Sequence, residues 1–219
     1  MSEVRARTRP PDGGKRRRAD ELFELMDKDL LGVEEQEELV QVLQEQCTAQ
    51  SHLWQRLFGC VALIGGLFFF GAALHHTLDP WSTRYTAEFR MSWSPHAVAL
   101  ALLGNGVACL AAGVGLLRVK VPLGQARTGY SKSTAARLLL ASIVLAQVCC
   151  VFWGWALWYE YYTLKLRAQI PPSFKWSLAW LPTSPLVVCV ICKCVADMNA
   201  EMQHSVTDLR SKMYNYKKL

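Results

Sequence analysis

A pair of apolar segments joined by a basic connector limits what this chain can become more than any other feature. Residues 96–117 and 138–159 are predominantly apolar, and the connector at 118–137 holds five lysines and arginines and no acid. A helix of about 22 residues is roughly 33 Å long, which matches the hydrocarbon thickness of a bilayer. The two segments therefore predict a helical hairpin that crosses a membrane twice.

The charge of the connector predicts the orientation of this hairpin. Short loops rich in lysine and arginine stay on the cytosolic side of a membrane. We therefore expect the far ends of both spans to face the lumen or the cell exterior. The net charge of +6 comes from cations that flank the apolar segments, where they contact lipid head groups and set orientation. These cations form no separate basic domain. We expect no nucleic-acid partner.

Two further apolar segments complete a predicted set of four spans. The 52% hydrophobic content is concentrated in long runs, which place a first span at about 57–78 and a fourth at about 176–196. Pro182 and Pro185 interrupt the fourth segment, but spans tolerate proline where neighbouring groups satisfy the freed carbonyls. Four spans put both termini in the cytosol. The predicted fold is all-α, a polytopic four-helix transmembrane bundle with a cytosolic amphipathic N-terminal helix.

The remaining segments predict three parts outside the membrane. Residues 1–18 are basic and rich in proline and glycine, which is typical of a disordered tail. Residues 19–53 form an acidic amphipathic helical region, with a break expected at Gly32. The membrane domain occupies 54–196, and residues 197–219 have the pattern of a short amphipathic cytosolic tail.

The acidic helical region is a candidate docking surface for another protein. Its apolar residues recur at spacings of three and four, which is typical of an amphipathic helix. The candidate partner-binding residues are Leu22, Leu25, Met26, Leu30, Leu39 and Leu43. The alternative is a helix that packs against the chain's own cytosolic segments. A coiled coil is a further alternative, although Gln36 and Gln50 interrupt the heptad pattern.

Two amides lie near the middle of predicted spans. Asn105 lies between two glycines in the second span, and Gln147 lies in the third. Because an amide facing lipid is unfavourable, we expect Asn105 to point at another helix, with Gln147 as a candidate partner. The pair is either an interhelical hydrogen bond or part of a polar pathway. The middle of each predicted span lacks Asp, Glu and Arg, which counts against ion-coupled transport.

Small residues in the first two spans predict close helix packing. Ala62 and Gly66 are four residues apart in the first span. Such a step lets another helix approach closely. The second span offers a similar row at Gly104, Ala108 and Ala112.

Few residues suggest chemistry. Cys192 and Cys194, at the cytosolic end of the fourth span, are candidates for palmitoylation, although cysteine is also a common apolar filler of helices. His75, His76 and Asp79 lie at the luminal end of the first span, with His96 at the same end of the second, and could form a metal or proton-transfer site. The sequence motifs of serine hydrolases, zinc proteases and nucleotide-binding enzymes are missing. We expect no catalytic residues, cofactor or bound metal.

These features favour a function in association with other proteins. We expect a non-catalytic scaffold, assembly factor or accessory subunit that acts through its membrane helices and its acidic helix. A small oligomeric channel or a lipid-handling protein is the alternative. The expected partners are membrane lipids and other membrane or cytosolic proteins, and self-association stays open. Arginine pairs near the N-terminus resemble retrieval signals and favour the endoplasmic reticulum or connected membranes.

Overall fold

The computed structural model describes residues 33–90, 92–119, 133–167 and 178–216. Helices account for 90% of these residues, and this described part contains no strand. They are α1 (Val33–Leu78), α2 (Arg84–Ala87), α3 (Pro95–Leu117), α4 (Thr134–Arg167) and α5 (Trp180–Tyr216). All except α2 contain a segment long and apolar enough to cross a membrane. The predicted all-α polytopic bundle is confirmed, and the chain is an integral membrane protein.

Three of the long helices extend well past their predicted spans. The 46 residues of α1 make a helix of about 69 Å, more than twice the hydrocarbon thickness. It runs unbroken from Val33, within the acidic region, into the first span and ends at Leu78, as predicted. The break expected at Gly32 lies outside the described residues. Helix α4 starts before residue 138 and continues to Arg167. Helix α5 begins at Trp180, four residues later than predicted, and continues through the tail to Tyr216.

The chain forms two compact units. The terminal unit comprises Met1–Gln50 and Ser205–Leu219, of which residues 33–50 and 205–216 are described. The membrane unit comprises Ser51–His204. The predicted disordered tail at 1–18 lies outside the described residues.

The buried residues of the membrane unit follow a heptad spacing. In α1 the buried residues are spaced alternately by four and three positions, at Gln55, Gly59, Ala62, Gly66, Phe69, Ala73 and His76. The same alternation in α4 passes through Ala135, Leu139, Ser142, Ala146, Cys149, Trp153 and Ala156. In α3 it passes through Val98, Leu102, Asn105, Cys109, Ala112 and Leu116. A mean step of about 3.5 residues is the spacing that packs helices into left-handed bundles.

Glycines bring the backbones of α1 and α3 together. A Cβ on Gly113 would lie 3.0 Å from the Gly59 carbonyl oxygen, and a Cβ on Gly66 would lie 3.1 Å from the Gly106 carbonyl oxygen. Within each helix the two glycines are one heptad apart, so both pairs lie on one seam. Gly66, which the sequence marks as a close-packing residue, is thus in contact with another helix, and its partner is Gly106.

Residues 79–90 and 92–94, which precede α3, form a folded cap on one end of the membrane unit. Phe89 is 0% exposed, and its ring centroid lies 5.5 Å from that of Trp153 on α4. Ser92 donates a hydrogen bond to the carboxylate of Glu160, also on α4. Ser94 then starts α3 by accepting a hydrogen bond from a backbone N–H in its first turn. We call this end of the unit the loop end and the opposite end, near Arg118, the connector end.

Candidate functional site

Asn105 is buried at the centre of the membrane unit, where α3 meets α5. Its side chain is 1% exposed, and its Nδ2 donates to the carbonyl oxygen of Leu181 at 3.5 Å. A helix would normally satisfy that carbonyl with the N–H of residue 185, but proline has none. Pro185 lies inside α5 and is fully buried. Asn105 therefore satisfies a backbone acceptor that Pro185 frees.

Pro182 needs no such compensation. It lies in the first turn of α5, where the backbone N–H groups have no acceptor within the helix. In the same turn, the hydroxyl of Thr183 donates to the Ala179 carbonyl at 2.9 Å. The fourth span therefore accommodates its two prolines in two different ways, one by position and one by a partner on α3.

Gln147 does not pair with Asn105. Its side chain is exposed on the outside of α4, while Asn105 is buried, and no hydrogen bond joins these two described residues. The expected pair is not formed because one amide is inside the bundle and the other is on its surface.

The outward face of α4 has a heptad spacing of its own. Exposed positions separated by four, three, four, three and four residues are Leu140, Val144, Gln147, Val151, Gly154 and Trp158. We call this row the outward stripe. It carries one amide near the middle of the span, between Val144 and Val151, which are 56% and 62% exposed. Hydrocarbon offers an amide no hydrogen bond.

The cysteines near the end of the fourth span differ in accessibility. The thiols of Cys189 and Cys192 donate to the backbone carbonyls of Ala108 at 3.6 Å and Phe58 at 3.9 Å. Cys192 is 1% exposed, whereas Cys194 is exposed. Palmitoylation of either residue stays a prediction, and the exposed thiol of Cys194 is the more accessible of the two.

The histidines of the loop end are not gathered into one site. His75 is exposed, with its Nδ1 3.3 Å from the Ser82 hydroxyl. His76 is buried and lies edge-on to the ring of Trp81, and His96 is exposed. Within the described ranges, no group of three or more metal-binding side chains is placed to hold an ion.

Of the six predicted docking residues, the structure describes two. Leu39 is 4% exposed and Leu43 is half-buried in the terminal unit. Leu39 is therefore little accessible to a partner in this structure, and its role in docking stays a prediction. The other four predicted residues lie outside the described ranges: Leu22, Leu25, Met26 and Leu30.

Two grooves of about 460 Å³ each open on the membrane unit. The α3–α4 groove is lined by ten residues, all of them apolar apart from the thiol of Cys149. The cap groove lies between α1, the cap and the start of α5, and includes the side chains of His75, Thr83, Tyr85 and Thr86. The two grooves therefore differ in chemistry although their volumes match.

Sequence reasoning missed the cap groove, because it singled out none of the groove's residues in the segment that follows the first span. A signal was present: aromatic residues recur every four positions at Trp81, Tyr85, Phe89 and Trp93. Such a regular row of large rings is unusual for a loop that only links two spans. Comparisons with protein-family models, with curated proteins and with solved structures give no match.

Proposed function

We propose that this membrane protein is a non-catalytic scaffold, assembly factor or accessory subunit that binds another membrane protein through the outward stripe of α4. The observation that carries the proposal is Gln147, an exposed amide near the middle of an apolar span. A partner helix that offers an amide, hydroxyl or carbonyl would satisfy it. Two copies of this chain meet that requirement as well, since an amide both donates and accepts.

The geometry of the stripe supports helix packing. Its heptad spacing is the one that forms left-handed helix pairs. Gly154 lies two positions further along the stripe, and a Cβ there would have no atom within 4 Å, so its surface is open to a neighbour. Interhelical hydrogen bonds within membranes contribute about 0.6 kcal/mol on average and up to about 1.7 kcal/mol. One amide thus specifies where the two helices pair, while side-chain packing along the stripe supplies most of the binding free energy.

The terminal unit supplies a second candidate contact. Residues 33–50 contain five glutamates and no lysine or arginine, which suits a basic partner. The basic connector supports a cytosolic location for this unit and for both termini. The arginine pairs near the N-terminus support the endoplasmic reticulum or connected membranes as the site of action.

The test measures association in a mild detergent for the full chain and for two variants of one residue. Gln147→Leu removes the amide, and Gln147→Asn keeps it. We expect Gln147→Leu to reduce the recovery of a stoichiometric partner, or of a second tagged copy, by roughly three- to twenty-fold. Gln147→Asn should retain most of it. Equal recovery with Gln147→Leu and the parent chain would sink the proposed interface. A variant lacking residues 20–50 separately measures the contribution of the acidic helix.

The second candidate function is lipid handling, and the cap groove favours it. The groove opens toward lipid and combines an apolar interior with polar side chains. A channel that uses Asn105 and Gln147 has less support, because Asn105 is engaged by Leu181 and Gln147 lies on the outside. If Asn105→Leu abolished a conductance while leaving assembly intact, the channel would replace the scaffold.

A further inference from the structure

The polar and apolar parts of the cap groove are separated along its length. At the loop end, the groove is bordered by His75, Thr83, Tyr85 and Thr86. Toward the middle of the membrane it is lined by residues such as Leu67 and Leu102. An occupant must therefore have a polar group at one end, near the membrane surface, and an apolar body that extends inward.

Rings form much of the groove's wall. Trp180 is central, with ring centroids 5.3 Å from Tyr85, 6.1 Å from Phe69 and 6.2 Å from Phe68. Aromatic faces pack best against a flat and rigid body. Flexible acyl chains gain less from such a surface, because ordering each chain costs conformational entropy.

The polar end of the groove favours a small, neutral head group. None of the described lining residues is a lysine or arginine, whereas sites for lipid phosphate are typically basic. Thr83 and Thr86 already share a hydrogen bond of 2.6 Å, and His75 contacts Ser82. The hydroxyl of Tyr85 has no hydrogen-bond partner among the described residues, and the residue is 45% exposed. It can donate to one oxygen or accept from one hydroxyl.

We propose that the cap groove binds a sterol, with the sterol hydroxyl at Tyr85 and the ring system between Trp180 and the Gly71 side of α1. This inference rests on lipid handling, the second candidate above, and is independent of assembly through Gln147. The α3–α4 groove, with the same volume and no comparable polar end, is the internal comparison: it suits an acyl chain.

The structure offers a substitution that fills the groove without disturbing the fold. A Cβ on Gly71 would have no atom within 4 Å, and Gly71 lines the groove, so Gly71→Leu places its side chain in the occupant's space. Gly65 on the same helix is equally open but lines neither groove, so Gly65→Leu is the matched control. Both changes also replace a glycine in a helix by a better helix former.

The experiment uses the purified full chain in lipid nanodiscs with a photoactivatable sterol, and maps the cross-linked residues by mass spectrometry. We expect labels on the cap groove that excess 3β-hydroxysterol removes at least five-fold better than its 3α epimer. Gly71→Leu should lose at least five-fold of the labelling, and Gly65→Leu should match the parent. Tyr85→Phe, which keeps the ring, should lose roughly three- to ten-fold, the equivalent of one hydrogen bond.

Three results would overturn the assignment. Undiminished labelling of Gly71→Leu would show that the sterol binds elsewhere. Equal labelling of the groove by a photoactivatable phosphatidylcholine would show that the groove binds lipid but does not select a sterol. If neither probe labelled the groove, both the sterol assignment and the lipid-handling function would be ruled out. If Gly71→Leu is poorly assembled, Tyr85→Phe and the epimer comparison decide the question alone.

Discussion

At the loop end, the core of the membrane unit contains several large rings, whereas at the connector end it consists mostly of alanine and cysteine and contains no buried ring among the described residues. The aromatic cluster at the loop end centres on Phe69, Phe89 and Trp153, with further rings packed around them at Trp81, Trp93, Phe152 and Trp180. The small-residue cluster at the connector end includes Ala62, Ala108, Ala112, Ala135, Ala146, Cys189, Cys192 and Ala196. One bundle therefore contains two solutions to helix packing.

The difference shows where such a bundle has room for a ligand. The separation between packed helices depends on the side chains at their contact. Alanine and glycine let backbones touch, as at Gly66 and Gly106, and leave little space to fill. The cap groove is walled by rings, whereas the α3–α4 groove has one ring, Phe152, among its lining residues. Within the described residues, ring packing thus accompanies one of the two grooves.

The largest effect is expected from removing a ring at the loop end. Trp153 is 0% exposed, so Trp153→Ala should leave a cavity in the aromatic cluster and lower the free energy of unfolding by about 3 kcal/mol. Thermal or denaturant unfolding in detergent measures the change. Trp155, two residues away and 62% exposed, is the control, and Trp155→Ala should change stability much less. Equal losses would mean that the loop end gains nothing from ring packing.

An intermediate effect is expected from adding a methyl group on the glycine seam. A Cβ on Gly106 would lie 2.6 Å from the ring of Phe70 and 3.2 Å from the Gly66 carbonyl oxygen. Gly106→Ala should therefore destabilise the bundle by about 1–3 kcal/mol, the range for overpacking. Gly65→Ala meets no atom and should be neutral or slightly stabilising. The same unfolding assay compares them, and a neutral Gly106→Ala would contradict backbone contact between α1 and α3.

The smallest effect is expected where the two halves meet, at Asn105. Asn105→Leu should cost about 1 kcal/mol, because it leaves the Leu181 carbonyl without its donor. Pro185→Ala restores a backbone N–H for that carbonyl. In the double variant, the loss caused by Asn105→Leu should therefore shrink, giving a coupling energy of about 1 kcal/mol in a double-mutant cycle. Additive effects would show that Asn105 and Pro185 act independently.

Much of the fold was predictable from the sequence because lipid imposes simple rules. Run length and the absence of central charges identified all four spans, and α3 differs from its prediction only by starting at Pro95 instead of residue 96. The start of α5 was placed too early, because Trp176 belongs to the same apolar run although α5 begins at Trp180.

The contacts between helices were far less predictable. The polarity of Asn105 predicts that it faces another helix. Its partner is a backbone carbonyl, and because every residue has one, the sequence alone does not identify which carbonyl it is. Only the position of Pro185 could have pointed to Leu181. The heptad interval shared by Gly59 and Gly66, and by Gly106 and Gly113, was visible in the sequence but not which glycine meets which. Burial of Leu39 likewise depends on packing that an amphipathic pattern does not specify.

The unbroken heptad spacing fixes which face of each span points into the bundle, and an inserted residue would rotate that face. One added residue turns everything beyond it by about 100° around the helix axis. Placed just after Ser142, it would move Trp153 away from the core while bringing lipid-facing positions inward. An added heptad would leave the rotation nearly unchanged and alter length alone. Over evolutionary time, such spans should tolerate substitutions on their lipid-facing positions better than changes in residue count, unless the count changes by whole heptads.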